Sequence, residues 1–125
     1  MAEVAEHVAG RVKSLVCVDG SEDCRVALRF AALRTRNTDG RLVMLYVIEP
    51  ADFQHWVAVE KLMGEERREE AEQILQELAG EVHEQVGIRP ILEVREGRRA
   101  DEVLKLIKKD PSINILVLGV APEGQ

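Results

Sequence analysis

Two hydrophobic periods alternate along the 125-residue chain. Val12 to Val18 (VKSLVCV) is a β-branched apolar run closing on Asp19-Gly20, the mark of a buried strand and a turn. Ser21 is placed to cap the helix that follows, with Glu22 and Asp23 in its first turn where acids complement the helix dipole. Cys24, Ala27, Leu28, Ala31 and Thr35 make its inner stripe, Arg25, Arg29 and Arg36 face away, and the helix stops in the turn cluster Asn37 to Gly40. Leu42 to Ile48 (LVMLYVI) is a second strand, ended by Glu49-Pro50. A long helix covers about Glu60 to Val86, with Ala71, Leu75, Leu78, Val82 and Val86 inward, and Gly87 stops it. Pro90 to Val94 (PILEV) is a shorter, less apolar strand suited to a sheet edge. Arg98 to Lys109 is a helix with Ala100, Val103, Leu104 and Ile107 at i, i+3, i+4, i+7 spacing, and Ile113 to Leu118 (INILVL) is a fourth strand ending at Gly119.

Apolar strands alternating with amphipathic helices predict an α/β fold, a three-layer open parallel sheet covered on both faces. The domain occupies residues 11–125, preceded by an N-terminal extension over residues 1–10.

Composition narrows the function classes. A net charge of -6 and a pI near 5.1 oppose a general nucleic-acid binder, which needs a basic face. At 3% aromatic residues a base-stacking platform is not expected either. No apolar run reaches the ~20 residues of a membrane span, and the start MAEVAEHVAG lacks the basic end of a secretory leader. Cys17 and Cys24 form no CxxC pair and have no histidine cluster beside them. They read as two small hydrophobes in a reducing cytoplasm, and no metal is expected. HEQVG at His83 is not HExxH, and the chain has no Walker A loop, no G-x-G-x-x-G and no G-x-S-x-G. No nucleophile, base and orienting group can be assembled from it, so an enzyme is not expected.

The stretch VKSLVCVDGSEDCRVALRFAALRTRNTDGRLVMLYVIEP resembles the universal stress protein family, as does EGRRADEVLKLIKKDPSINILVLG with Gly97, Ala100 and its strand ending in glycine. The resemblance runs from about Val12 to Gly119. It implies strand order 3-2-1-4-5, and in a sheet so wound the ligand crevice lies where the order reverses, outside the carboxyl ends of strands one and four. It also implies a nucleoside site in which Asp19 and a main-chain contact near Val47 hold the base and sugar. A G-x2-G-x9-G-S/T motif after strand four would hold the phosphates through backbone N–H groups. Gly119 matches its first glycine, Pro122 stands at the second with no N–H to offer, and Gly124 is out of register.

The sequence stops before the family's fourth helix and fifth strand, so the order expected here is 3-2-1-4 in a C-terminally incomplete domain, whether as a piece of a longer chain or as a gene product that ends early. Two functions follow: a stress-response regulatory or interaction module without competent ATP binding, or a nucleotide-binding switch retaining a nucleoside half-site at Asp19, Val47 and Gly119. No cofactor is expected, with ATP or AMP at most a weak ligand. The apolar, uncharged run of strand four would be an edge, which implies a homodimer or another protein partner there.

Several residues carry two readings. Asp19 is either a ligand contact or a turn residue bonding its own backbone. Phe53, His55 and Trp56 make either a lid or interaction surface, or, through Phe53 and Trp56, a plug over the core. Arg95, Arg98 and Arg99 around Gly97 could form an anion pocket, although basic residues at a helix start oppose its dipole; otherwise they are a solvated rim or a docking patch for an acidic partner.

Overall fold

The computed structural model describes residues 12–50 and 57–119, the helical backbone alone over 57–65. Residues 1–10, Phe53, His55, Trp56 and Pro122 lie outside these described residues.

The elements run β1 (Lys13–Cys17), α1 (Glu22–Asn37), β2 (Arg41–Ile48), α2 (Val57–Val86), β3 (Ile91–Glu96), α3 (Arg99–Lys109) and β4 (Ile115–Val117). All strands are parallel, in the order β3-β2-β1-β4. At the centre Ser14, Leu15 and Val16 pair with Leu42, Val43 and Met44 on one side and with Ile115, Leu116 and Val117 on the other.

The strand period of two divides the core between two faces. Val16, Leu42 and Met44 meet α1 and α2 through Ala31, Leu75, Leu78 and Val82. Leu15, Val43, Leu45 and Val47 point the other way and meet Val103 and Leu106 of α3 with Ile113. The inner residues predicted for α1 and α2 are all buried. Ser21 caps α1 as expected, its hydroxyl accepting the Cys24 N–H at 3.2 Å.

Several boundaries differ from the sequence expectation. α2 begins at Val57 rather than near Glu60, and β3 runs on to Glu96. β4 is only three residues long, Ile115–Val117 rather than Ile113 to Leu118; just before it the Asn114 side-chain Oδ1 accepts the Lys13 N–H at 3.0 Å and the Asn114 backbone N–H donates to the Lys13 carbonyl at 3.0 Å.

Below that junction Lys13 Nζ bonds the Asp110 carboxylate, which also accepts from Ser112. The Lys13 bond, then Ser112, draw the Asp110 carboxyl down to about 2 from an ordinary 3.8. A depressed carboxyl stabilises the fold above its unfolded pKa, and the contribution disappears as pH falls through the folded value. The stability difference between the protein and Asp110→Asn is therefore expected to be full above pH 3.8 and to vanish towards about 2 in acid unfolding curves.

Ser14 is fully buried, and its Oγ has no hydrogen-bond partner among the described residues. An unsatisfied buried hydroxyl costs about 1–3 kcal/mol. Ser14→Ala is accordingly expected to stabilise the protein by about 1 kcal/mol, read as a rise in urea midpoint at unchanged slope.

Candidate functional site

The carboxyl ends of β1, β2 and β4 open onto one end of the sheet. Val18 continues the ladder by donating its N–H to the Leu45 carbonyl at 2.9 Å, so Asp19 stands level with Val47. Val16 pairs with Val117, which brings Gly119 level with Val18 on the other side. The fold thus gathers Asp19, Val47 and Gly119 at the end where the strand order reverses.

Asp19 is exposed at the start of the turn, and Gly20 supplies the positive φ of +85° that the turn needs. Asp19 Oδ1 accepts the Ser21 N–H at 2.9 Å, so the turn role foreseen for it is real. Burial alone would raise this carboxyl. The bonds from the Ser21 N–H and side chain, the Arg99 charge and Cys24 outweigh it and hold the group below its ordinary value. Gly119 lies against the first turn of α1. A Cβ there would come within 2.7 Å of the Asp23 carbonyl and 3.2 Å of the Cys24 Cα, so only glycine lets β4 end so close to α1.

Beside Val47 a polar cavity of about 180 Å³ opens between the end of β2, α2 and the start of α3, lined also by Tyr46, Glu49, Arg67, Glu70 and Arg99. Glu49 organises it. Its Oε2 accepts the Arg99 N–H at 3.1 Å, and its carbonyl accepts from Arg67. The carboxylate of Glu49 caps α3 from another element, since the N-cap residue Arg98 makes no side-chain cap bond. Tyr46 registers the surrounding charges. Burial, then Glu70 and Asp19, push its phenol up, while Arg67 and Arg99 pull it down.

Cys17 is half-buried near this end, and burial pushes its thiol up despite the opposing Arg99 charge, so at neutral pH it is a protonated, weak nucleophile. Cys24 is buried on the opposite face of the sheet, and both cysteines are free. Among the described residues no group of three or more His, Cys, Asp and Glu residues is arranged to hold a metal ion. No helix of the described residues is long and apolar enough to cross a membrane.

The three arginines read together from the sequence do not form one patch. Arg95 is mostly covered and ties β3 to α3 through the buried Glu102, Nε to Oε1 at 3.1 Å. Gly97 makes room for that carboxylate: its φ is +146°, and a Cβ would fall 2.5 Å from Glu102 Oε2. Arg98 is exposed, and Arg99 lines the cavity. The parts of the site that the sequence does not disclose are Glu49 and Arg67, while Arg99 reads there only as one of the three arginines around Gly97. Their one signal is a helix start, Arg98, with no local capping side chain.

A larger groove, about 680 Å³, runs between α1 and the last turns of α2, bordered by the exposed Val26, Phe30 and Leu33. It lies on the outer side of the helices, away from the strand ends, and shares no lining residue with the cavity beside Val47.

The sequence profile of the universal stress protein family matches residues 12–124. Among solved structures the chain is similar to the universal stress protein UspA of Lactobacillus plantarum, with 18% identity, a TM-score of 0.79, and coverage of 91% of this chain and 82% of that one. A universal stress family protein from Burkholderia pseudomallei has 20% identity and a TM-score of 0.75, over 90% of this chain and 83% of that one. A universal stress protein solved in complex with cAMP has 14% identity and a TM-score of 0.65, over 86% and 71%. No curated protein matches the chain. At these identities the structural likenesses show the fold.

Proposed function

The chain belongs to the universal stress protein family, and from that premise we propose that it is a cytoplasmic, non-catalytic regulatory module that does not bind ATP competently. Its crevice keeps a nucleoside half-site. The observation that carries this is the convergence of Asp19, Val47 and Gly119 at the end of the sheet where the order reverses, with a cavity beside Val47. A family structure holding cAMP supports a nucleoside-bearing ligand. Against strong phosphate binding stands Pro122, which has no N–H where the family's motif has a glycine. Each lost charge-assisted hydrogen bond costs about 1.5–3 kcal/mol.

The module works as a homodimer through β4. Among the described residues β4 is a sheet edge, with Leu116 and Leu118 exposed and no charge within Ile115–Val117. The opposite edge, β3, carries Glu93, Arg95 and Glu96 and is blunted against pairing.

Calorimetric titration tests the nucleoside site. Adenosine is expected to bind, ATP to bind no tighter than about 100 µM (about −5.5 kcal/mol), and Asp19→Ala to abolish the adenosine heat. Micromolar ATP affinity would overturn the proposal.

A further inference from the structure

We propose that the groove between α1 and the last turns of α2 is the seat of this chain's own N-terminal segment, residues 2–9, docked there as one short amphipathic helix. The groove shares no lining residue with the cavity beside Val47, so this docking and the nucleoside site stand or fall separately.

The groove is apolar at its base and along one rim. Leu28, Val82 and Val86 line it as buried residues, while Val26, Phe30 and Leu33 stand exposed at i, i+4, i+7 along α1. Single exposed apolar residues are ordinary, but three in one row beside a cavity of about 680 Å³ mark a surface shaped for a partner. That spacing is the one a helix laid alongside engages. The two walls are clasped together by Arg25, whose guanidinium bonds both carboxylate oxygens of Glu81 at 2.7 and 2.8 Å, so the groove is formed before anything enters it.

The occupant follows from where the chain enters the sheet. The Val12 carbonyl accepts the Arg41 N–H at 2.8 Å, and Gly40, which closes α1 through its N–H to the Thr35 carbonyl, packs its bare Cα against the same carbonyl. Val12 therefore lies beneath the C-terminal end of α1, and Leu33 is the nearest member of the exposed row. Residues 9–11, extended, reach about 10 Å, roughly one helix diameter, which brings the chain round the end of α1 to its outer side. In MAEVAEHVAG the apolar residues Met1, Val4, Ala5 and Val8 recur at i, i+3, i+4, i+7, with Glu3, Glu6 and His7 opposite. Met1 to Val8 in a helix rises about 10.5 Å, the same as Val26 to Leu33.

Charge agrees with this seat. The segment has two acids and no Lys or Arg, whereas α1 beyond its first turn has four arginines and no acid. Arg25 is taken by Glu81, but Arg29 and Arg36 are exposed and have no ion-pair partner among the described residues. So short a helix does not persist alone in water. A tether of three residues holds it at an effective concentration in the millimolar range, where an apolar groove suffices to seat it.

Amide hydrogen exchange of the full chain, followed by NMR, tests the docking. The N–H groups of Glu6, His7, Val8 and Ala9 are those a helix beginning at Ala2 bonds internally, and they are expected to exchange about tenfold more slowly than unstructured-chain rates. Phe30→Asp, at a side chain 57% exposed, should return them to unstructured-chain rates while α1 keeps its own protection. Val4→Asp with Val8→Asp lies before β1 and leaves the sheet and its helices untouched; it should do the same and shift the amide resonances of Arg29 to Leu33. Leu104→Asp, equally exposed but on α3, should leave the segment protected. Unprotected amides in the unaltered chain overturn the docking, as does protection that survives both Phe30→Asp and the double variant. Protection lost on dilution from about 500 to about 20 µM overturns it too, because a segment seated in its own groove is indifferent to concentration.

Discussion

Leu75→Ala is expected to lower the unfolding free energy by about 2–5 kcal/mol. Leu75 is 1% exposed and sits where α2 presses on the α1-side face of the sheet, in the same cluster as Val16, Leu42 and Met44. Truncation removes buried methylene and methyl groups and leaves a cavity whose lining cannot collapse, because the strand backbone beneath is held in its ladder from both sides. Set against a typical total of about 5–15 kcal/mol, such a loss is a large fraction of the stability of the fold. Urea unfolding should show the midpoint falling by about 1–2 M with an unchanged slope. Leu104→Ala is the control. Leu104 is 57% exposed on α3, and its truncation should change stability by no more than about 0.5 kcal/mol. Equal effects at the two positions would mean that α2 does not pack as described.

Leu116→Lys is expected to turn a dimer into a monomer. Sedimentation of the 125-residue chain at tens of micromolar should give twice the 14.0 kDa chain mass, and the variant the chain mass itself. The expected driving force is the surface around β4: Leu116 is 41% and Leu118 55% exposed, beside a strand that is a sheet edge among the described residues. Burying a few hundred Å² of apolar surface contributes several kcal/mol at roughly 25 cal/mol/Å², before the cost of association. A lysine there must leave its ammonium in the new seam or prevent the seam from closing. Because the side chain is already solvent-reached, the monomer fold should survive, with far-ultraviolet dichroism unchanged. A wild-type chain at 14.0 kDa under these conditions, or a variant that still dimerises, would refute the β4 interface.

How far the sequence discloses the molecule depends on distance along the chain. The strands are legible because a sheet covered on both faces needs continuous apolar runs, and VKSLVCV and LVMLYVI are such runs. The start of α1 is legible because Ser21 caps it within three residues. Asp19 is legible for the same reason, as the head of an Asp-Gly-Ser turn, and its bond to the Ser21 N–H bears out that turn role. Glu49 escapes notice because its partners lie far away, Arg67 at a separation of 18 residues and Arg99 at 50. Arg95 is misjudged as rim because its carboxylate, Glu102, is buried, which a pattern of charged residues does not announce. Local chemistry writes itself into short motifs, and non-local pairing does not.

The position of β1 between β2 and β4 has a consequence for how the protein is made. One flank of β1 is completed by β2, soon after it in sequence, but the other waits for β4, with Lys13 and Asn114 meeting across 101 residues. During synthesis at ~5–20 residues per second, the open edge of β1, including Leu15 and Val16, stays unpaired for roughly 3–15 s after β2 has emerged. Parallel pairing of this kind closes late and slowly. The nascent chain therefore offers an apolar strand edge to its neighbours on the polysome, and the yield of soluble protein should depend on translation rate and on holdase chaperones more than on the stability of the finished fold.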